Sequence, residues 1–277
     1  MAIKLYKPTN PGRRHASVLD SSSLTKKKRE KSLTVALNKF SGRNNQGKIT
    51  IRHRGGGAKK IYRLIDFKQN RFNEPAEVVA LEYDPNRNAR IALIKYTDNS
   101  KAYILAADQL KVGERIMSSQ NKIEAKIGNR MPLEFIPQGQ NVYNIELVPG
   151  LGGKIGRSAG TLVVLQNIEG KFAQLKMPSK EIRLVKKECL ASIGQVSNPD
   201  AKLVRLGKAG RTRHMGIKPT VRGKVMNPVD HPHGGGEGKH PVGMKYPKTI
   251  WGKHALGVKT RKNKSSDKLI IKRRNKK

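Results

Sequence analysis

Cysteine occurs only once in the 277 residues, as Cys189. One thiol cannot close an internal disulfide, which excludes a disulfide-stapled secreted scaffold, and no cysteine pair exists for the usual structural zinc spacings. Aromatic residues make up 5% of the chain and hydrophobic residues 36%. That is too little for one large core and fits small domains with thin ones. No run approaches the ~20 apolar residues of a membrane helix, so no membrane partner is expected. Pro8 and then Asn10-Pro11-Gly12 interrupt the N-terminal stretch before an apolar signal segment can form. A reducing, cytoplasm-like compartment is the expectation. Negative charge is also short: 20 Asp and Glu face 58 Lys and Arg, a formal net charge of +38. Self-repulsion on that scale works against a compact state, so a polyanionic partner is expected, with nucleic acid first among the candidates.

The excess charge is unevenly placed. Residues 1–60 hold 16 Lys and Arg against 2 Asp and Glu, residues 61–200 hold 20 against 15, and residues 201–277 hold 22 against 3. The nearly neutral middle reads as short strands: 61–67, 78–83, 91–96, 102–105, a weak one at Ile116-Met117, then 142–147, 161–168, 172–176, 181–185 and 190–196. Thr97-Asp98-Asn99-Ser100, Glu169-Gly170 and Pro178-Ser179 supply turns, and no sustained 3.6-residue apolar period appears. Short strands at this spacing predict small barrels or sandwiches rather than an α/β sheet. A break at Gly128-Asn129-Arg130-Met131-Pro132 divides them into two units, 61–125 and 126–200. The expected fold is mostly β: two small tandem barrels between a basic N-terminal extension, 1–60, and a basic, Gly-rich C-terminal extension, 201–277. The extensions, including Lys26-Lys27-Lys28-Arg29 and the run Lys272-Arg273-Arg274-Asn275-Lys276-Lys277, have little to bury and read as arms that order on RNA.

Three enzyme-like or metal-like patterns fail on context. Gly156-Arg157-Ser158-Ala159-Gly160 fits the G-x-S-x-G spacing of a nucleophile elbow, which needs a strand before the serine and a helix after it. Here a Gly-rich turn precedes and β-prone Thr161-Leu162-Val163-Val164 follows. Gly234-Gly235-Gly236-Glu237-Gly238-Lys239 lacks the spacing of a phosphate loop, and His240 stands where Ser or Thr is needed. Asp230, His231, His233 and His240 lie on no helix or hairpin that would set zinc geometry, and Pro232 stiffens the backbone between two of the imidazoles. No metal, cofactor or catalytic residue is therefore assigned. The stretch reads instead as a rigid turn presenting imidazoles to RNA.

Basic clusters carry the stronger signal. Arg13-Arg14-His15, Arg43-Asn44, Arg52-His53-Arg54, Lys59-Lys60, Arg157, Arg211, Arg213-His214, Arg222, His231, His233 and Lys239 lie beside Gly, Asn and Pro rather than in helical repeats. Guanidinium forks bind phosphate bidentately and stack on bases, and glycines admit close approach to RNA backbone. No helix-turn-helix, zinc finger or RNP1-type aromatic pattern appears, so folded RNA rather than a DNA groove is the expected partner. A free basic nucleic-acid-binding protein or RNA chaperone is the competing reading.

At these residues the chain resembles the bacterial-type large-subunit ribosomal protein L2 family along nearly its whole length. The carrying motifs are Tyr6-Lys7-Pro8-Thr9-Asn10-Pro11-Gly12-Arg13-Arg14, Gly42-Arg43-Asn44-Asn45-Gln46-Gly47, Arg52-His53-Arg54-Gly55-Gly56-Gly57, Leu81-Glu82-Tyr83-Asp84-Pro85-Asn86-Arg87, Gly156-Arg157-Ser158-Ala159-Gly160-Thr161 and the long run from Asn227 to Gly238. The resemblance implies an OB-fold over 61–125 and an SH3-like barrel over 126–200, with both extensions threaded into large-subunit rRNA. It also implies early rRNA binding, association of the two subunits across small-subunit rRNA, neighbouring ribosomal proteins as partners, and a place near the peptidyl transferase centre and bound tRNA. The ribosome would be that of a bacterial cytoplasm or an organelle. A catalytic part for the histidine matching His231 is disputed in the family. Pro228, Pro232 and the glycines that follow favour a loop-ordering role instead.

Overall fold

The computed structural model describes residues 3–25 and 28–274. Lys26, Lys27 and the Asn275-Lys276-Lys277 end of the basic run lie outside the described residues. The chain is mostly β. Its strands are β1 (Ile3–Leu5), β2 (Ser17–Leu19), β3 (Thr34–Ala36), β4 (Ile61–Arg63), β5 (Ala76–Glu82), β6 (Ile91–Tyr96), β7 (Lys101–Leu105), β8 (Arg115–Ile116), β9 (Arg130–Pro132), β10 (Asn141–Tyr143), β11 (Val163–Glu169), β12 (Phe172–Lys176), β13 (Ile182–Lys186), β14 (Leu190–Ile193) and β15 (Ile270–Lys272). Among the described residues two short helices, α1 (Pro11–Arg14) and α2 (Ala209–His214), join the strands together with 3-10 turns.

The residues group into two compact units. One comprises 1–38, 59–211 and 266–277; the other comprises 39–58 and 212–265.

The larger unit contains a four-stranded antiparallel sheet in the order β7-β6-β5-β8 and a seven-stranded sheet in the order β15-β13-β12-β11-β10-β14-β9. In β5 burial alternates, with Ala76, Val78 and Ala80 inside, while β6 is buried along almost its whole length. The hairpin between β6 and β7 closes as expected. Asn99 takes the left-handed conformation (φ 66°), and Asp98 accepts from both the backbone N and the hydroxyl of Ser100. One core gathers Val78, Ile94, Ile104, Leu105 and Ile116; a second gathers Met131, Leu133, Val142, Leu165, Leu175 and Val185. The sheets meet through an Ala107–Val196 bridge, and Tyr143 packs in the first core while its hydroxyl donates to Leu105 O at 3.4 Å.

Several expectations need correction. The break at 128–132 contains a strand: β9 pairs with β14 at the edge of the larger sheet, with Pro132 opposite Leu190. Proline suits an edge, where its missing N–H costs no ladder bond, and the turn residues before it masked so short a strand. The 61–67 strand ends at Arg63, because Asp66 accepts from the backbone N of Lys68 and Gln69 and turns the chain. The 142–147 strand ends at Tyr143, since Asn144 is left-handed (φ 48°). The extensions are more than arms. β1 pairs with β2, β3 with β4, and β15, which includes Lys272, adds to the edge of β13. The apolar Leu269-Ile270-Ile271 before the basic run supplies that edge strand, and an open sheet edge offers backbone partners whatever the side-chain charge.

In the smaller unit, segments distant in sequence pair directly. Gly55 N donates to Gly216 O at 3.0 Å, Ala58 N to His214 O at 3.0 Å, and Lys218 N to His53 O at 3.0 Å.

Candidate nucleic-acid interface

A groove of about 580 Å³ in the larger unit is lined by Phe67, Asn86, Arg87, Lys154, Arg157 and Ser158, among others. Its lining brings together two aromatic rings, Tyr62 and Phe67, and three cations, Arg87, Lys154 and Arg157. Arg157 Cζ lies 4.5 Å from the Phe67 ring centroid, and Arg87 Cζ lies 5.8 Å from Phe67 and 5.8 Å from Tyr62. Asp84, fully buried, fixes Arg87: one carboxylate oxygen accepts from Arg87 Nε at 2.7 Å and the other from Asn86 N at 2.8 Å. Asn86 Nδ2 in turn donates to Ile61 O at 2.7 Å. Using Nε internally leaves the Nη fork of Arg87 for an outside acceptor, the geometry that matches phosphate. Rings under guanidinium planes also suit a stacked base.

The Arg157 wall is held from inside. Arg130 and Glu146 form a fully buried ion pair at 3.2 Å, and Arg130 Nη1 donates to Asn144 O at 2.7 Å. Burial holds the Arg130 guanidinium below its ordinary pKa, against the opposing pull of Glu146. Glu146 also accepts from Gly150 N and Gly152 N, each at 3.0 Å, and from Leu190 N at 3.3 Å. Gly153 follows, with its N donating to Phe67 O and its O accepting from Arg157 Nη1 at 3.2 Å. A side chain on Gly153 would run into the Asn144 amide, so only glycine lets this loop close on the strand end. One buried carboxylate therefore organises the turn that places Arg157.

The smaller unit holds the histidine-rich loop. His231 is 8% exposed, its ring packed on the Cα of Gly223, and its Nδ1 accepts from His233 N at 3.0 Å. The two rings lie 4.6 Å apart. His233 Nε2 accepts from Lys248 N at 2.8 Å, and burial, His231 and Lys248 together lower its pKa. Both acceptor roles require neutral imidazoles. The turn thus points His231 inward, where it braces the loop, instead of presenting it to RNA as the sequence suggested. Pro228 and Pro232 limit the backbone, and the loop folds back on the ring.

The other sequence-derived residues divide by exposure. Arg13, Arg14 and His15 lie exposed on and just after α1, whose N-cap Asn10 accepts from Arg13 N at 3.0 Å, and Arg13 stacks over Tyr6. Arg43, Arg52, Arg54, Lys59, Arg213, His214, Arg222 and Lys239 are exposed, and Lys60 is half-buried. Asn44 is exposed, but its Oδ1 is used in a turn, accepting from Gln46 N and Lys48 N. His53 is left-handed (φ 62°), with its Nδ1 3.0 Å from Pro219 O. Arg211 is half-buried and partly engaged by the fold: its Nη1 donates to the carbonyls of Ser17, Arg205 and Leu206. In the sequence the Asp84-Pro85-Asn86-Arg87 run carries the resemblance without singling out Arg87 as a site residue, because its ring partners Tyr62 and Phe67 are distant in sequence. Among the described residues no group of three or more His, Cys, Asp or Glu is placed to hold a metal ion, and no helix is long and apolar enough to cross a membrane.

Guanidinium groups over aromatic rings, Gly-rich basic loops closed by backbone bonds and a large positive charge define a structural RNA-binding protein. Residues 30–118 match the family description Ribosomal Proteins L2, RNA binding N-terminal domain, and residues 126–252 match Ribosomal Proteins L2, C-terminal domain. The chain belongs to the ribosomal protein L2 family, a structural, rRNA-binding family of the large ribosomal subunit rather than an enzyme family.

Proposed function

We propose that this protein anchors large-subunit rRNA during assembly, helps organise the peptidyl transferase centre and tRNA binding, and supports subunit association through small-subunit rRNA and neighbouring ribosomal proteins. A bacterial cytoplasmic or organellar ribosome is its place. In this reading 61–125 is an OB-fold, 126–200 an SH3-like barrel, and Arg13, Arg14, His15, Arg43, Arg52, Arg54, Lys59, Lys60, Arg157, Arg213, His214, Arg222 and Lys239 meet RNA. Asn44, His53, Arg211, His231 and His233 shape the loops that do so.

The observation that carries the proposal is the groove in which Arg87 and Arg157 share Phe67. Its donors are fixed before any ligand arrives, so little side-chain entropy is lost on binding. The test is co-sedimentation with large subunits after a high-salt wash. The protein should stay bound, and Arg87→Ala with Arg157→Ala should cut its retention strongly. Release of the unaltered protein by the wash would favour a free RNA chaperone.

A further inference from the structure

The chain has a single tryptophan, Trp251, and it is 76% exposed. A buried indole would contribute one of the largest apolar surfaces a side chain can offer, so its display to solvent in a chain this poor in aromatics requires a reason. Trp251 stands at the tip of a small hairpin in the smaller unit. Lys248 and His254 form an antiparallel bridge, Ala255 N donates to Pro247 O at 2.9 Å, and Thr249 N donates to Lys253 O at 2.7 Å. Gly252, left-handed at φ 74°, makes the turn, with its N donating to Thr249 O at 3.0 Å. Tyr246 and His254 stack at the base, their centroids 4.2 Å apart. Lys248 N also bonds His233 Nε2, so the hairpin is tied to the histidine loop and is not a free tail.

The surroundings name the occupant. Between Glu237 and Asp267 the sequence carries eight Lys or Arg and no Asp or Glu. An apolar protein groove would not select for that field, whereas a nucleic-acid strand would: lysines track the backbone while an aromatic face stacks on a base. A paired base is already stacked on both faces, so the base must be an unpaired one.

We propose that Trp251 is a base-stacking residue, whose indole, held at the tip of the 247–255 hairpin, takes an unpaired RNA nucleobase on its face. The proposal rests on the reading that the protein binds rRNA and adds a contact to it. Because Trp251 is the sole tryptophan, intrinsic emission reports on this position alone.

The full-length protein is titrated with protein-free large-subunit rRNA and, separately, with a fully paired RNA duplex, while binding is followed independently by anisotropy of labelled RNA. With rRNA, Trp251 emission should fall by about half or more and access to acrylamide should drop; the duplex should bind with little quenching. Trp251→Ala should weaken rRNA binding about 5- to 150-fold with an unchanged salt slope, since stacking releases no counterion, and Trp251→Phe should recover most of the loss. If rRNA binds while emission and acrylamide access stay as in the free protein, the proposal is wrong. It is equally wrong if the indole becomes shielded only when neighbouring ribosomal proteins are added. Failure of the protein to bind rRNA in the anisotropy channel overturns the underlying reading, and this inference with it.

Discussion

Arg157 and Phe67, 90 positions apart in sequence, meet as a cation over a ring at 4.5 Å, and both are tied to Gly153: Phe67 O accepts from its N, and Arg157 donates to its O. The ring is therefore a support that keeps a guanidinium extended and ready.

Arg157→Lys preserves the charge but loses the planar fork, and Phe67→Ala removes the support. Each should weaken rRNA binding by several-fold to about 30-fold, in line with the ~0.5–2 kcal/mol of a cation–π contact. Filter binding across a salt series separates the causes. Both variants should keep the wild-type salt slope, whereas Arg157→Ala should reduce it by about one. A reduced slope for Phe67→Ala would show that Arg157 loses its phosphate contact altogether without the ring, and unchanged affinity would show that the ring does not support Arg157.

Glu146, almost fully buried, accepts from Arg130 and from three backbone amides. Glu146→Ala leaves a buried guanidinium unpaired and should cost about 3–5 kcal/mol in urea denaturation. Adding Arg130→Met should recover only part of this, because the amides of Gly150, Gly152 and Leu190 stay without their acceptor. Full recovery in the double variant would reduce the role of Glu146 to neutralising Arg130.

His233 is held below the ordinary histidine pKa by burial first and by His231 and Lys248 next. Its neutral form is favoured in the folded loop. Its contribution is thus present above the ordinary value near 6.5 and is lost as pH falls through the lower folded value. Protonation removes the acceptor for Lys248 N, so the protection of that amide, taken relative to its intrinsic exchange rate at the same pH, should be lower at about pH 5 than at about pH 7.5, in step with the His233 ring titration followed by NMR. A Lys248 amide equally protected at both values would contradict the assignment.

How far the fold could be read depended on what each strand uses for specification. The strands Ile91–Tyr96 and Phe172–Lys176 were read to the residue, because apolar runs ended at turns of unambiguous chemistry. β9 and β15 were not, because their pairing is set by a neighbouring edge rather than by their own pattern. The same holds for side chains. Arg211 sits in a basic cluster and looks like a phosphate ligand, yet its acceptor Ser17 O lies 194 positions away. Local sequence carries no trace of such a partner. His231 was legible as a loop residue, but its direction was not, since that depends on the packing of Gly223 against the ring.

The smaller unit imposes an order in time. Gly55 N finds its acceptor at Gly216, so the 39–58 segment has no home in the fold until a further 150 or so residues exist. At roughly 5–20 residues per second of synthesis, the segment waits on the order of ten seconds or more with Arg43, Arg52 and Arg54 unattached. Closing so long a loop is also intrinsically slow. During that interval the nascent chain offers its basic N-terminal part to any polyanion in reach.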